Sequence, residues 1–307
     1  MEEANNQKRK NRIYTVLIVL CASVAVFSAA MLLCQHLKYQ RAQQENEKLR
    51  QEYVQETYTV EQGEDKDTPL SVPETEPARQ EETKENQDPS YWNTSNQPDK
   101  SRRPIREGEI KRLTNPNPYT KSVKVDFEAL KAVNGEVVAW LYGMDGIVNY
   151  PVVQGKDNEY YNHRLLDGRE QFCGTLFVDC RNNFLNDDLT IIYGHKMKDG
   201  TMFGHFGKYD TYAYYQTHPT FTLETPDATY ELQVIACVYT DKWEPQFLNF
   251  ESEEHFNAMV ANYRRRSTFQ TAVDVKYGDS LVALWTCAYY IGMNGRMFIL
   301  CKAVQIR

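Results

Sequence analysis

The chain has 307 residues, 41% of them hydrophobic and 25% charged, and carries a net charge of −7 at pH 7. That length could hold two domains, but the composition is uneven and favours one folded domain on a stalk. A modestly acidic chain with no long basic block beyond its N-terminal flank argues against a nucleic-acid partner.

Residues 1–12 are polar, hold Lys8, Arg9, Lys10 and Arg12, and read as a cytoplasmic tail. Ile13–Leu33 then runs 21 residues without a charge. At ~1.5 Å per residue this is about 31 Å of helix, enough to cross the hydrocarbon core of a bilayer once. The basic flank precedes the run, so the positive-inside tendency places the N-terminus in the cytoplasm and the remainder outside. Residues 13–33 therefore read as a single-pass signal anchor in the cell membrane. A cleaved signal peptide ending near Ser28-Ala29-Ala30 is the rival, but the apolar run continues through Met31-Leu32-Leu33.

Residues 34–106 read as an extracellular stalk and linker. Lys38–Tyr58 is rich in Gln, Glu, Lys and Arg, which suits an exposed helical stalk with too few apolar positions for a coiled coil. Val60–Arg106 has almost no aliphatic residues and cannot bury enough surface to offset its ordering entropy. It is expected to be a disordered tether with a reach of roughly 35–40 Å, letting the domain work away from the lipid.

Residues 107–307 form the expected folded domain. Asp126–Ala132 reads as a short helix with Asp126 near its start and Asn134-Gly135 as its stop. Eight strand-like runs follow, at Val137–Leu141, Ile147–Val153, Thr175–Val178, Leu189–Tyr193, Thr220–Glu224, Tyr230–Thr240, Ser280–Thr286 and Met297–Ile306. Helical stretches interrupt them around Asn158–Arg164, Gly204–Thr217 and Ser252–Arg266. The last has Ser252 as N-cap, Glu253 and Glu254 in its first turn, and three arginines in its last. Strands dominate and helices fall in connections, so the expected fold is mainly β: an eight-stranded closed or nearly closed barrel with helical insertions.

Cys34 borders the anchor and reads as a membrane-buried thiol, which leaves five cysteines outside the membrane: Cys173, Cys180, Cys237, Cys287 and Cys301. Their odd number leaves at least one thiol unpaired. Cys173 and Cys180 bracket the strand-like Gly174–Asp179, which would hold them about 23 Å apart, far beyond the ~7 Å limit for bridging. Cys237 and Cys301 sit inside apolar strands and read as core residues.

Cys287 differs because it ends the run Leu281–Thr286, where a turn begins and solvent can reach the thiol. His195 likewise ends the run Leu189–Tyr193, and Arg296 opens the last strand, beside Cys287 if those strands are antiparallel neighbours. A thiol that attacks, an imidazole that moves protons and a guanidinium that holds an oxyanion or a substrate carbonyl are the parts of thiol-based acyl transfer. Ordinary values near 8.5 for a thiol and 6.5 for an imidazole favour a neutral pair at pH 7. There is no Gly-x-Ser-x-Gly elbow, phosphate-binding glycine loop, His-Glu-x-x-His or Cys-x-x-Cys, so serine-hydrolase, nucleotide and zinc readings lose support, and no cofactor or metal is expected.

From about Asp126 to Arg307 the chain resembles a class B sortase, a membrane-anchored cysteine transpeptidase of Gram-positive bacteria. The resemblance is carried by Gly174-Thr175-Leu176-Phe177-Val178-Asp179, by Ile191-Ile192-Tyr193-Gly194-His195-Lys196-Met197-Lys198-Asp199-Gly200-Thr201-Met202-Phe203, and by Leu284-Trp285-Thr286-Cys287 with Arg296. A helix between the sixth and seventh runs and a helical segment before the barrel also fit class B. The resemblance implies a sortase-type barrel, with Cys287 as nucleophile, His195 as proton donor and acceptor, Arg296 as oxyanion or substrate-positioning group, and Thr286 in substrate binding. It implies cleavage of a C-terminal sorting motif of secreted proteins after a threonine, through a thioacyl enzyme. An amine of the peptidoglycan cross-bridge or a pilin lysine then resolves that intermediate, anchoring the surface protein to the cell wall. Ala283 replaces a frequent threonine of the family, and Ala288 stands where some members carry an acidic residue, so a carboxylate partner for His195 would come from elsewhere. A cell-wall cysteine hydrolase or peptidase and a non-catalytic binding module are the competing expectations.

Overall fold

The computed structural model describes residues 2–60, 119–241, 248–287 and 295–307. Nearly all of the expected tether, and residues 242–247 and 288–294, which include Trp243, Phe247 and Ala288, lie outside the described residues.

A helix, α1 (Glu2–Tyr53), leads into strand β1 (Val54–Val60), which pairs antiparallel with β2 (Tyr119–Val125) in a two-stranded sheet. Helix α2 (Phe127–Val133) follows, its first turn capped by Asp126, whose carboxylate accepts from Ala129 N at 3.0 Å. The barrel strands are β3 (Val137–Gly143), β4 (Val148–Val153), β5 (Leu176–Val178), β6 (Leu189–Tyr193), β7 (Thr220–Glu224), β8 (Thr229–Thr240), β9 (Leu281–Cys287) and β10 (Arg296–Gln305). Helices α3 (Tyr212–Thr217) and α4 (Glu253–Arg266) fall in the connections, with short 3-10 turns at Tyr160–His163 and Gly204–Asp210.

The eight strands close in the order β10-β8-β7-β3-β4-β5-β6-β9. The pairs β4–β5 and β6–β9 are parallel and the other pairs antiparallel, so the barrel is mixed. The period-two alternation of strands divides their side chains between two layers. Leu141, Val152, Ile192, Leu284 and Ile299 point inward with the interior cluster. Trp140, Tyr193, Trp285 and Phe298 belong to an outer cluster that would be wet if nothing covered it. Helix α4 supplies cover: Phe256, Val260 and Tyr263, spaced at i, i+4 and i+7, are buried, and Tyr263 meets Phe298 edge-on with centroids 5.0 Å apart. Ser252 caps this helix by accepting from His255 N, as its sequence suggests.

The stretch expected to be an exposed stalk is instead docked on the barrel through most of its length. Tyr39, Ala42, Asn46, Leu49 and Tyr53 repeat at alternating steps of three and four, one helix face. Ala42 and Asn46 are buried, and Leu49 and Tyr53 pack on the outer cluster. Tyr39 meets Phe172 edge-on at 4.9 Å, Arg50 donates to Asn149 O at 3.1 Å, and Glu45 pairs with Arg169 at 3.1 Å. The helix then ends in a strand rather than continuing to Tyr58. A stretch of α1 beginning near Tyr14 is long and apolar enough to cross a membrane.

Candidate active site

Closure of the barrel sets β6, β9 and β10 side by side. In the parallel pair, Tyr193 stands opposite Trp285, and Gly194 N donates to Trp285 O at 3.0 Å, so the register runs on past the strand end and brings His195 next to Cys287. In the antiparallel pair, Arg296 stands directly opposite Cys287. Adjacent strands lie roughly 4.8 Å apart, so the three residues occupy one short row across three strands. Alternation puts Cys287 on the face of Trp285, and Arg296 on the face of Phe298, which is the outer face. The row opens into a pocket of about 180 Å³, walled also by Asn158, Phe177 and Trp285. Trp285 lies flat on Phe298, with centroids 4.7 Å apart, and gives this end of the sheet a rigid floor.

The end of β6 has a local cause. Gly194 has no room for a side chain: a Cβ there would sit 2.4 Å from Leu176 and 2.6 Å from Phe203. The backbone packs closely there and the strand stops. The loop that follows returns on itself, because Asp199 accepts from the Thr201 backbone and hydroxyl, Gly200 takes a positive φ, and Phe203 N donates to His195 O at 2.9 Å. Arg296 is partly buried and donates through Nη1 to Gly295 O at 3.0 Å.

His195 Nε2 lies 2.7 Å from Asn162 O. A carbonyl only accepts, so Nε2 carries a proton, and in the neutral ring Nδ1 is left with the lone pair. The imidazole also stacks on His163, with centroids 5.4 Å apart. Burial pushes the His195 pKa below the ordinary imidazole range; the Asn162 carbonyl opposes this and His163 adds to it. The imidazole therefore rests neutral near pH 7. Among the described residues its partner is this backbone carbonyl and not a carboxylate.

The Asn162 carbonyl is itself held in place. Asp157 accepts from the backbone N–H of Glu159 and of Tyr160 and starts the 3-10 turn, Thr175 N donates to Tyr161 O at 3.0 Å, and Gly174 packs against both the Tyr161 and Asn162 carbonyls. Asp179, fully buried, accepts from Arg181 through its backbone and guanidinium and from the hydroxyl of the pocket residue Tyr193 at 2.9 Å. Burial alone would raise this carboxyl; those donors outweigh it and hold the pKa down to about 2. A depressed carboxyl stabilises the fold above its unfolded pKa and loses that contribution as pH falls through its folded value. Asp179→Asn is therefore expected to lower urea stability by about 2 kcal/mol at pH 7, a gap that closes between about pH 4 and 2.

All four expected residues line this one pocket. Thr286 is carried by alternation to the opposite face from Cys287, and its hydroxyl is buried with no partner among the described residues. Asn162, His163 and Gly174 were not anticipated: a backbone carbonyl leaves no mark in a sequence, and His163 reads as a surface histidine. The glycine immediately before a strand was the one available signal. Cys237 and Cys301 are fully buried with their thiols pushed well above the ordinary range by desolvation, which excludes them as nucleophiles, and Cys173 and Cys180 are unbridged.

The mixed eight-stranded barrel is the fold of the sortases. A crystal structure of sortase B complexed with triglycine superposes with a TM-score of 0.56 at 28% identity, covering 59% of this chain and 86% of that one. A Staphylococcus aureus sortase B–substrate complex does so with a TM-score of 0.56 at 28% identity, covering 59% and 85%. Sortase B of Listeria monocytogenes is 34% identical over 168 residues, which cover 54% of this chain and 68% of that protein. The chain belongs to the sortase B family. No protein-family model matches it.

Proposed function

We propose that the protein is a cysteine transpeptidase working at the outer face of the cell membrane, with Cys287 as nucleophile, His195 as proton carrier and Arg296 as oxyanion or carbonyl clamp. The observation that carries this reading is the single row of the three side chains across β6, β9 and β10. Cys287 Sγ attacks the main-chain carbonyl carbon of a threonine in a sorting motif, and His195 Nδ1 takes the thiol proton. Arg296 holds the resulting oxyanion through its guanidinium N–H groups. The imidazolium then returns its proton to the leaving amine as the C–N bond breaks, leaving a thioester on Cys287. An entering amine gives a proton back to His195, forms the new amide and expels the thiolate. Thr286 lines the pocket beside Cys287, and its part in holding the substrate falls to its main chain, since its hydroxyl is buried on the opposite face.

Relatives complexed with a substrate and with triglycine support a peptide donor and an amine-ended acceptor. In this chain the donor would be a secreted protein bearing a C-terminal sorting signal, and the acceptor a peptidoglycan cross-bridge or a pilin lysine. The basic flank Lys8–Arg12 and the apolar run of α1 support a single-pass anchor with a cytoplasmic N-terminus and the catalytic domain, residues 107–307, outside.

Intact-mass measurement of the protein mixed with a sorting-motif peptide and no amine tests the reading. A mass gain equal to the acyl fragment, removed by hydroxylamine, is expected. In Arg296→Ala the gain forms more slowly by about 10²-fold, the usual loss for one oxyanion donor. A protein that cleaves the peptide with no acyl adduct would overturn the covalent mechanism.

A further inference from the structure

The path from membrane to barrel is a continuous helix. The apolar run ends at Leu33, and α1 passes without interruption to Tyr39, its first contact with the barrel, on Phe172. Six residues of helix are about 9 Å, close to the thickness of one headgroup layer. Phe172 also shares a groove of about 650 Å³ with Phe27, Met31, Leu32 and Lys38 of the helix. Phe27, Met31 and Leu32 are 68%, 59% and 67% exposed, as residues meant for hydrocarbon are. The barrel loop that carries Phe172 therefore overhangs the last turns of the span.

The described residues on either side of segment 61–118 meet in one strand pair. The chain leaves at Val60 and returns at Tyr119, which is its partner across the β1–β2 pair, so both ends of that segment are pinned together beside the barrel. The path from the apolar run to the barrel that the described residues show is the one through α1.

We infer that the barrel is seated directly on the outer leaflet, with phospholipid filling the groove between Phe172 and the apolar run of α1. This rests on the reading of that run as a membrane span. Phe172 and Tyr39 occupy the interfacial level that suits aromatic rings, and the exposed Lys38 extends its ammonium to the headgroup phosphates. The pocket thus works at one fixed, short height above the lipid, and acyl donors and acceptors must come to it there.

The test is photo-crosslinking of the full chain in vesicles of equal parts phosphatidylglycerol and phosphatidylcholine. p-Benzoylphenylalanine is placed singly at Phe27, Phe172 or the exposed Tyr277, and phospholipid adducts are read by mass. Adducts at 27 and 172 and none at 277 are expected. Adduct at 27 without adduct at 172 would overturn the seating while leaving the span intact; no adduct at 27 would remove the span and the inference with it. In the unsubstituted chain, hydroxyl-radical labelling of Phe172 is expected to fall far below that of Tyr277 in the same vesicles, and equal labelling would contradict the proposal independently of any substitution.

Discussion

Cys287→Ala is expected to remove turnover of a sorting-motif peptide by at least about 10⁴-fold, the scale on which covalent nucleophiles are lost. The fold is expected to survive. Cys287 is partly exposed at the end of β9, its thiol fills no interior cavity, and its pairing with Arg296 runs through backbone groups that alanine keeps. Truncating such a position costs under about 1 kcal/mol, and the melting temperature should move by only a few degrees. Peptide cleavage followed by mass spectrometry, beside a thermal melt, separates the two. Residual cleavage near the parent rate would remove Cys287 from the mechanism.

Gly174→Ala is expected to damage stability and chemistry together. Gly174 has φ +59, and a Cβ built on it would lie 2.3 Å from Tyr161 O and 2.5 Å from Asn162 O. Both obstacles are backbone, so neither can rotate away. Forcing a side chain into that space costs about 3 kcal/mol, from the left-handed conformation and the displacement of the 3-10 turn together. The carbonyl that must move is the one that fixes the His195 ring. Urea unfolding should show the stability loss, and kcat per folded molecule should fall as well, because a displaced Asn162 carbonyl no longer sets the tautomer. A variant as stable and as active as its parent would mean that this contact does not position the imidazole.

The barrel was legible because its information is local. Each of the eight apolar runs is a strand within two residues of the expected bounds at either end, and Ser252 caps α4 as read. Asp126 likewise caps α2. What was not legible depends on partners far away in the chain. Val54–Val60 reads as polar stalk, since nothing in Gln55-Glu56-Thr57 announces a strand until Tyr119–Val125 arrives to pair with it. The docked face of α1 was visible in principle as Tyr39, Ala42, Leu49 and Tyr53. An alanine, an asparagine and the aromatic ends do not register as an apolar stripe unless the opposing surface is known. In the pocket, residue types pointed to Cys287, His195 and Arg296, and the barrel closure supplied the row. The orientation of His195 rests on a main-chain carbonyl, for which side-chain chemistry carries no signal.

Transfer of a peptide acyl group from Cys287 to an amine is measured on the full chain in detergent micelles, because removing α1 would strip Leu49 and Tyr53 from the outer cluster that they cover. The protein and its Cys287→Ala variant are incubated with a sorting-motif peptide library and a glycine oligomer, and the products are read by mass spectrometry. Cleavage after threonine with the glycine oligomer joined to the new carboxyl end is expected, in the parent only. Cleavage that leaves a free carboxylate in the presence of excess amine would make the enzyme a hydrolase, and no Cys287-dependent product with any peptide would contradict the catalytic reading altogether.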